Sequence, residues 1–395
     1  MSTAKKSLWN KDYTLVVLVN IFASIGFYFV QPTLPRYVTG LGISLATAGF
    51  ISGMFSIVAL FCRPFTGAVA DRISPKKILQ IALPMEAAAG VCYGLIPSVP
   101  WLILCRTIHA IGFSFVGTVI IVFGSQFIPR ERMGEGIGDL GLGNILGTAI
   151  GPGLGLALGS RFGYKYAFIC GGLIILAGFF LILLTENREI EVSSKRTFSF
   201  RNLISVKLIP LSFLNGLFSF SNGLISAYLS MHADVMGITG VGAYFTVLAA
   251  FLFIVRPIAG KWTDKHGLLW TVVPGYIMTG VGLLMIANAR SLGILFVAAG
   301  FMAFGQGGAQ PAFQSACVKA LPNEQRGIAT STYYMFADIF QGFGPMIGGR
   351  IAELTSPEGH IVYTPLYTLC SSIMAAGLVL FMIYNYTQKK KGIVL

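Results

Sequence analysis

The sequence predicts an all-α membrane protein of twelve transmembrane helices, arranged as two six-helix bundles related by a pseudo-twofold axis. Three observations carry this. Of 395 residues, 55% are hydrophobic and only 11% charged, with a mean hydropathy of +0.75, too little polarity to cover a soluble surface. The apolar residues fall into runs of about 20 or more, the length that crosses a bilayer. Finally, the stretch from Arg63-Pro64 through Gly67 to Asp71-Arg72 returns 193 positions on as Arg256-Pro257, Gly260 and Asp264-Lys265. The same offset carries Pro129, Glu131 and Gly134 onto Pro322, Glu324 and Gly327, and Gly151, Pro152 and Gly155 onto Gly344, Pro345 and Gly348. An offset that survives three separated stretches means two copies of one unit. Duplicated halves in a membrane are a signature of secondary transporters.

In chain order the spans fall near 13–37, 45–70, 78–97, 101–127, 134–159 and 165–184 in the first copy. The second copy places them near 207–231, 241–262, 269–288, 291–317, 327–352 and 361–386. Six spans per copy return the chain to the same side, as a direct repeat requires. Residues 1–184 thus form an N-terminal bundle, 185–206 a charged linker and 207–395 a C-terminal bundle. The bases sort by side. Lys5, Lys6, Arg72, Lys76, Lys77, Arg130, Arg132, Arg188, Lys195, Lys261, Lys265, Lys319 and Lys389 to Lys391 lie on one side. Arg36, Arg161, Lys165, Arg290 and Arg350 lie on the other. By the positive-inside rule both termini are cytoplasmic in a bacterial-type inner membrane. The net charge of +13 therefore reflects topology and not a nucleic-acid partner. Six cysteines in apolar runs without a CxxC pair read as small hydrophobes.

At these residues the chain resembles the major facilitator superfamily over essentially its whole length. Gly67-x3-Asp71-Arg72-x3-Lys76-Lys77 is similar to the family's loop 2–3 signature, with Ser74-Pro75 in place of its usual glycine-basic pair. Leu102-x3-Arg106 followed by Gly112 resembles the span-4 signature, although His109-Ala110 stands where the family often has Gln-Gly. Gly138-x8-Gly147-x3-Gly151-Pro152-x2-Gly155 resembles the span-5 antiporter signature, with Leu156 replacing its last glycine. The last two point to the drug/proton antiporter branch.

Each motif has a physical reading. Gly143, Gly147, Gly151, Gly155 and Gly159 recur every fourth residue, a bare stripe about 24 Å long that lets a neighbour approach closely. With Pro152 as a bend, Gly147, Gly151 and Gly155 are expected to form a helix seam, with span 8 as its partner. Asp71 and Asp264 end spans 2 and 8 where a carboxylate charge-matches a helix N-terminus. Arg72 can reach Glu135 or Asp139. Gly67, Asp71, Arg72, Glu135, Asp139, Gly260 and Asp264 are therefore the expected conformational latch. Arg63 and Arg256, repeating beside proline, read as anchors.

Ionisable groups within spans are costly and face protein or a watery cavity. Asp338, Glu86 and His109 are the proton-coupling candidates, because burial favours the neutral form of a carboxylic acid. Polar residues at helical spacing mark candidate substrate-binding faces: Asn20, Ser24, Tyr28 and Gln31 on span 1; Asn215, Ser219, Asn222 and Ser226 on span 7; Gln306, Gln310 and Gln314 on span 10; Tyr334, Asp338 and Gln341 on span 11. The resemblance implies that spans 1, 4, 7 and 10 line a central cavity with span 11 beside it. Arg106 would stand there as a fixed cation, with Phe27, Phe113, Phe218 and Tyr333 as walls.

The chain carries no metal-ligand cluster, HExxH, nucleophile motif or Walker sequence, so neither an enzyme nor an ATP-driven pump is expected. No cofactor is expected either; a proton gradient would supply the energy. The reading that follows is a monomeric, proton-coupled exporter of small amphiphilic organic molecules working by alternating access. The alternative within transport is a symporter importing a small organic anion held by Arg106. A non-transporting sensor would be expected to carry an added signalling domain.

Overall fold

A chain that hides its backbone polar groups in a bilayer does so by closing every hydrogen bond within a helix, and helix dominates here. The computed structural model describes residues 8–70, 73–129, 132–186, 204–322, 326–356 and 362–390. Among the described residues, fourteen α-helices build the twelve spans. The first copy supplies α1 (Lys11–Gly40), α2 (Leu45–Ala70), α3 (Pro75–Cys92), α4 (Val99–Ser125), α5 (Met133–Leu140), α6 (Leu142–Phe162) and α7 (Tyr164–Leu183). The second supplies α8 (Ile209–Val235), α9 (Gly242–His266), α10 (Leu269–Ala287), α11 (Leu292–Ala303), α12 (Gln310–Lys319), α13 (Arg326–Leu354) and α14 (Thr364–Lys390).

Two expected spans are each broken into two helices. The fifth breaks at Gly141 into α5 and α6, where closely spaced glycines hold the helical backbone weakly. The tenth runs from α11 through a π-helical turn, Phe304–Ala309, into α12. Pro311 lies just beyond that turn, and its missing N–H and its ring cannot accept the regular register with residue 307.

Among the described residues ten helices are long and apolar enough to cross a membrane by length and composition. The expected third and eleventh spans fall outside that group. α3 carries Lys76, Lys77 and Glu86 within 18 residues, and α13 carries Asp338, Arg350 and Glu353. Large apolar side chains point outward in quantity: Ile81 is 71% exposed, Phe61 69% and Phe253 60%. So much exposed apolar surface belongs against lipid. All six cysteines are free thiols.

The chain divides into two compact units. One comprises residues 1–33 with 58–198, the other residues 34–57 with 199–395. The first unit closes on a core that includes Tyr13 and Val16 of α1, Leu79 and Leu83 of α3, Phe123 of α4, and Ile175 and Ile182 of α7. The second packs α8 between α13 and α14, with Tyr228, Tyr276, Phe313 and Tyr367 among its fully buried side chains. In that unit the segment 34–57 lies on α8 and α13. Arg36 Nη2 meets Asp234 Oδ2 at 2.5 Å, and Gly49 and Gly53 seat against the backbones of Pro345 and Gly342.

Candidate functional site

In the first unit, the glycine seam forms with α1. A Cβ at Gly147 would meet Ser24, one at Gly151 the Ile25 carbonyl and Tyr28, and one at Gly155 the Phe29 carbonyl and Thr33. Where span 8 was the expected partner, the neighbour of the stripe within this unit is span 1. The reason is complementary spacing: Asn20, Ser24 and Tyr28 recur at the same interval as Gly143, Gly147 and Gly151. Asn20 Nδ2 donates to the Leu140 carbonyl at 2.6 Å, at the end of α5 where the helix breaks. Ser24 Oγ lies 3.5 Å from Asn144 Oδ1. Much of the polar face of α1 is thus taken up inside its own bundle. Tyr28 and Gln31 are half-buried. Phe113 of α4 stacks on Phe27 at 4.1 Å.

The same unit buries a cluster of ionisable groups between α3 and α4. Glu86, Arg106, His109 and Tyr93 are each at most 1% exposed. Gly112 makes this possible, because a Cβ there would lie 3.1 Å from the Glu86 Cβ; its absence lets the two helices close around the carboxyl. His109 Nε2 stands 3.6 Å from Glu86 Oε1, and the Tyr93 hydroxyl 2.9 Å from His109 Nδ1. The Arg106 guanidinium reaches the Tyr93 hydroxyl as well. Of the expected coupling residues, Glu86 and His109 are therefore brought together, while Asp338 lies half-buried on α13 in the other unit and is not free there. Sequence reasoning passed over Tyr93, although it stands seven residues from Glu86 on one helical face.

In the second unit the polar faces of spans 7 and 10 meet. Gln306 Nε2 donates to Asn222 Oδ1 at 2.6 Å, Asn222 Nδ2 to Gln310 Oε1 at 3.2 Å, and Gln310 Nε2 to Ser219 Oγ at 3.2 Å. The π turn sets this register, since Gln306 lies within it and Gln310 directly after it; such turns are frequent at functional sites. Tyr333 of α13 places its hydroxyl 3.1 Å from Asn215 Oδ1 and 3.0 Å from the Gln310 carbonyl. Asn215 Nδ2 is buried without a hydrogen-bond partner among the described residues. Gln314 donates to the Tyr334 hydroxyl at 3.2 Å, and Gln341 is half-buried on α13. Phe218 is corrected from a cavity wall to a core residue. It is 1% exposed and packs on Tyr276 at 4.4 Å and Phe313 at 6.3 Å between ring centroids.

Of the expected latch, Asp71 and Arg72 lie outside the described residues, as do the surroundings of Gly67 and the side chain of Glu135. Asp139 is half-buried and not free. Gly260 is exposed, and the repeat carboxylate Asp264 meets Lys319 Nζ at 2.9 Å on an exposed face.

The chain matches the Major Facilitator Superfamily over residues 16–255 and again over residues 211–393. It belongs to the major facilitator superfamily. Among its relatives, the "Multi-drug resistance efflux pump PmrA homolog" of Lactococcus lactis is 25% identical, covering 94% of this chain and 96% of the relative. The "Multidrug resistance protein MdtG" of Citrobacter koseri is 27% identical, covering 87% and 89%. The solved structure of the nucleoside transporter NupG superposes with a TM-score of 0.74 at 13% identity, covering 95% of this chain and 99% of that one. The chain is thus a multi-pass membrane transporter and not an enzyme. Its relatives and structural neighbours are transporters of the same superfamily.

Proposed function

We propose that this transporter exports small amphiphilic organic molecules in exchange for protons. The observation that carries the substrate class is the amide chain of the second unit. Gln306, Asn222, Gln310 and Ser219 offer donors and acceptors without a fixed charge. Such a surface accepts many neutral polar groups and selects strongly for none. Export is supported by the near full-length likeness to two proteins named as multidrug pumps. Proton coupling is supported by protonatable groups inside the spans: Glu86, His109 and Asp338. The distribution of Lys and Arg orients both termini to the cytoplasm. Burial of Arg106 to 1% exposure, against Tyr93, speaks against its holding an organic anion for import.

Proteoliposomes with an imposed pH gradient test this reading. The expected result is ethidium, or an uncharged amphiphile from a diverse panel, accumulating against its gradient and released on collapsing the pH difference with a protonophore. Transport of every active compound at the same rate with and without the gradient overturns it.

A further inference from the structure

We infer that the coupling proton is carried by the Glu86–His109 pair in the first unit and reaches it through Tyr93. This deepens the proton-coupled reading above and rests on it.

The pair is placed between two helices of one bundle and not on a polar rim. Both Glu86 carboxyl oxygens are buried without a hydrogen-bond partner among the described residues. A bare carboxylate in such a place costs several kcal/mol. The nearest titratable nitrogen is His109 Nε2, at 3.6 Å. A small side-chain rotation closes that gap to hydrogen-bond length. Glu86 is thus held as the neutral acid or as an ion pair with a protonated His109, and the two forms differ only in where one proton sits.

The surrounding bonds fix the tautomer. Arginine has no acceptor, so where Arg106 meets the Tyr93 hydroxyl the oxygen accepts. The Tyr93 proton therefore points to His109 Nδ1, 2.9 Å away. His109 accepts at Nδ1 and in its neutral form carries its proton on Nε2, facing Glu86. The result is a line of phenol, imidazole and carboxyl. It runs from the end of α3 nearest the α3–α4 connection into the middle of the helix. With the termini cytoplasmic, that end is the outer one, the side from which protons enter during export.

The transfer balances with one proton and no other reactant. An entering proton bonds to the Tyr93 oxygen as the Tyr93 proton passes to Nδ1. The imidazolium then releases its Nε2 proton to Glu86 Oε1. The ring is left neutral with its proton on Nδ1, and the starting tautomer returns when the ring loses that proton and takes one up at Nε2.

Few other ionisable groups face the pair. On α4 these are Arg106, one turn away, and Cys105. α7, packed against α3, carries Tyr164, Lys165, Tyr166 and Cys170; Lys165 and Tyr166 are exposed, and Lys165 lies against Gly94 beyond Tyr93. No carboxylate on α4 or α7 competes with Glu86 for the proton.

The test uses the full chain and two readouts. In infrared difference spectra of the purified protein, a protonated-carboxyl band is expected that disappears as pH is raised. It should be absent in Glu86→Gln and shifted in His109→Gln. In proteoliposomes, Glu86→Gln should leave ethidium movement indifferent to the pH gradient. Tyr93→Phe, which keeps the packing and removes only the hydroxyl, should slow gradient-driven movement by at least about tenfold. A band that persists in Glu86→Gln, or one that does not respond to pH, overturns the assignment. So does gradient-driven transport at the wild-type rate in Glu86→Gln, with the proton-coupled reading left standing. Where Glu86→Gln does not fold, wild-type driven rates in both His109→Gln and Tyr93→Phe overturn it. If the wild type itself ignores the gradient, the proton-coupled reading fails, and the infrared band alone decides whether the pair holds an exchangeable proton.

Discussion

Glu353 Oε1 accepts the Ala46 N–H at 2.8 Å, so a carboxylate near the end of α13 caps the first turn of α2. An orphan N–H at a helix start gains both a hydrogen bond and a favourable charge from such a partner. The contact holds the middle of the 34–57 segment, and Arg36–Asp234 holds its start. Removing the cap should cost about 1 kcal/mol. Glu353→Ala is expected to lower the apparent melting temperature of the purified protein, whereas Glu353→Gln, which keeps an acceptor, should lower it less. Arg36→Ala removes a partly exposed pair and should cost about 1 kcal/mol or less. Unchanged melting of Glu353→Ala would show that the cap contributes nothing.

The seam between α1 and α6 gives a second prediction. Gly151 and Gly155 are buried, and any side chain there meets the backbone of α1 at Ile25 and Phe29. Backbone cannot swing aside as a flexible side chain can. Gly151→Leu and Gly155→Leu are each expected to abolish monodisperse protein on size-exclusion chromatography, as overpacking of a closed interface does. Full yield and wild-type transport in both variants would show that α1 can retreat.

The repeated aspartates should behave unequally. Asp264 and Lys319 lie 2.9 Å apart but are 70% and 66% exposed, so Asp264→Asn should change stability by no more than about 1 kcal/mol. Asp71→Asn, in the copy with Arg72 beside it in sequence, is expected to reduce turnover much more than equilibrium binding of ethidium, because it alters the balance between states and not the binding groups. Equal loss of turnover and binding in folded Asp71→Asn protein would count against a latch.

The fold was legible because bilayer crossing imposes length and composition, and duplication imposes an offset; both are properties of sequence alone. Breaks at Gly141 and at the π turn were less legible. A glycine or a proline marks where a helix is able to break, while the neighbour that receives the freed groups, Asn20 for the Leu140 carbonyl, lies far away in sequence. The same limit explains the seam. The glycine period announces a close neighbour without naming it, and only the matching interval on α1 identifies one. Glu86 and His109 were visible as charges in apolar spans. Their meeting depended on Gly112, whose missing side chain brings α3 onto α4. Gly49 and Gly53 went unread because a single small pair is common in any glycine-rich membrane chain.

Asn222 is the residue on which the amide chain turns, accepting from Gln306 at 2.6 Å and donating to Gln310 at 3.2 Å. Asn222→Ala leaves both glutamines without their partner, which a neutral substrate amide or hydroxyl can replace only in part. Affinity for an uncharged amphiphile should fall by about tenfold, the usual scale for losing a hydrogen bond from a largely desolvated site. Asn222→Asp separates hydrogen bonding from charge. The carboxylate still accepts from Gln306 but can no longer donate to Gln310, and it adds a negative charge where the wild type has none. Opposite charges in a site of reduced dielectric attract by more than they do in water. Asn222→Asp should therefore bind ethidium, a cation, more tightly than the wild type does, while binding the uncharged probe more weakly. Equilibrium binding of both probes to purified protein reads the two effects independently. Parallel changes for the two probes, or none for either, would place the substrate away from this chain of amides.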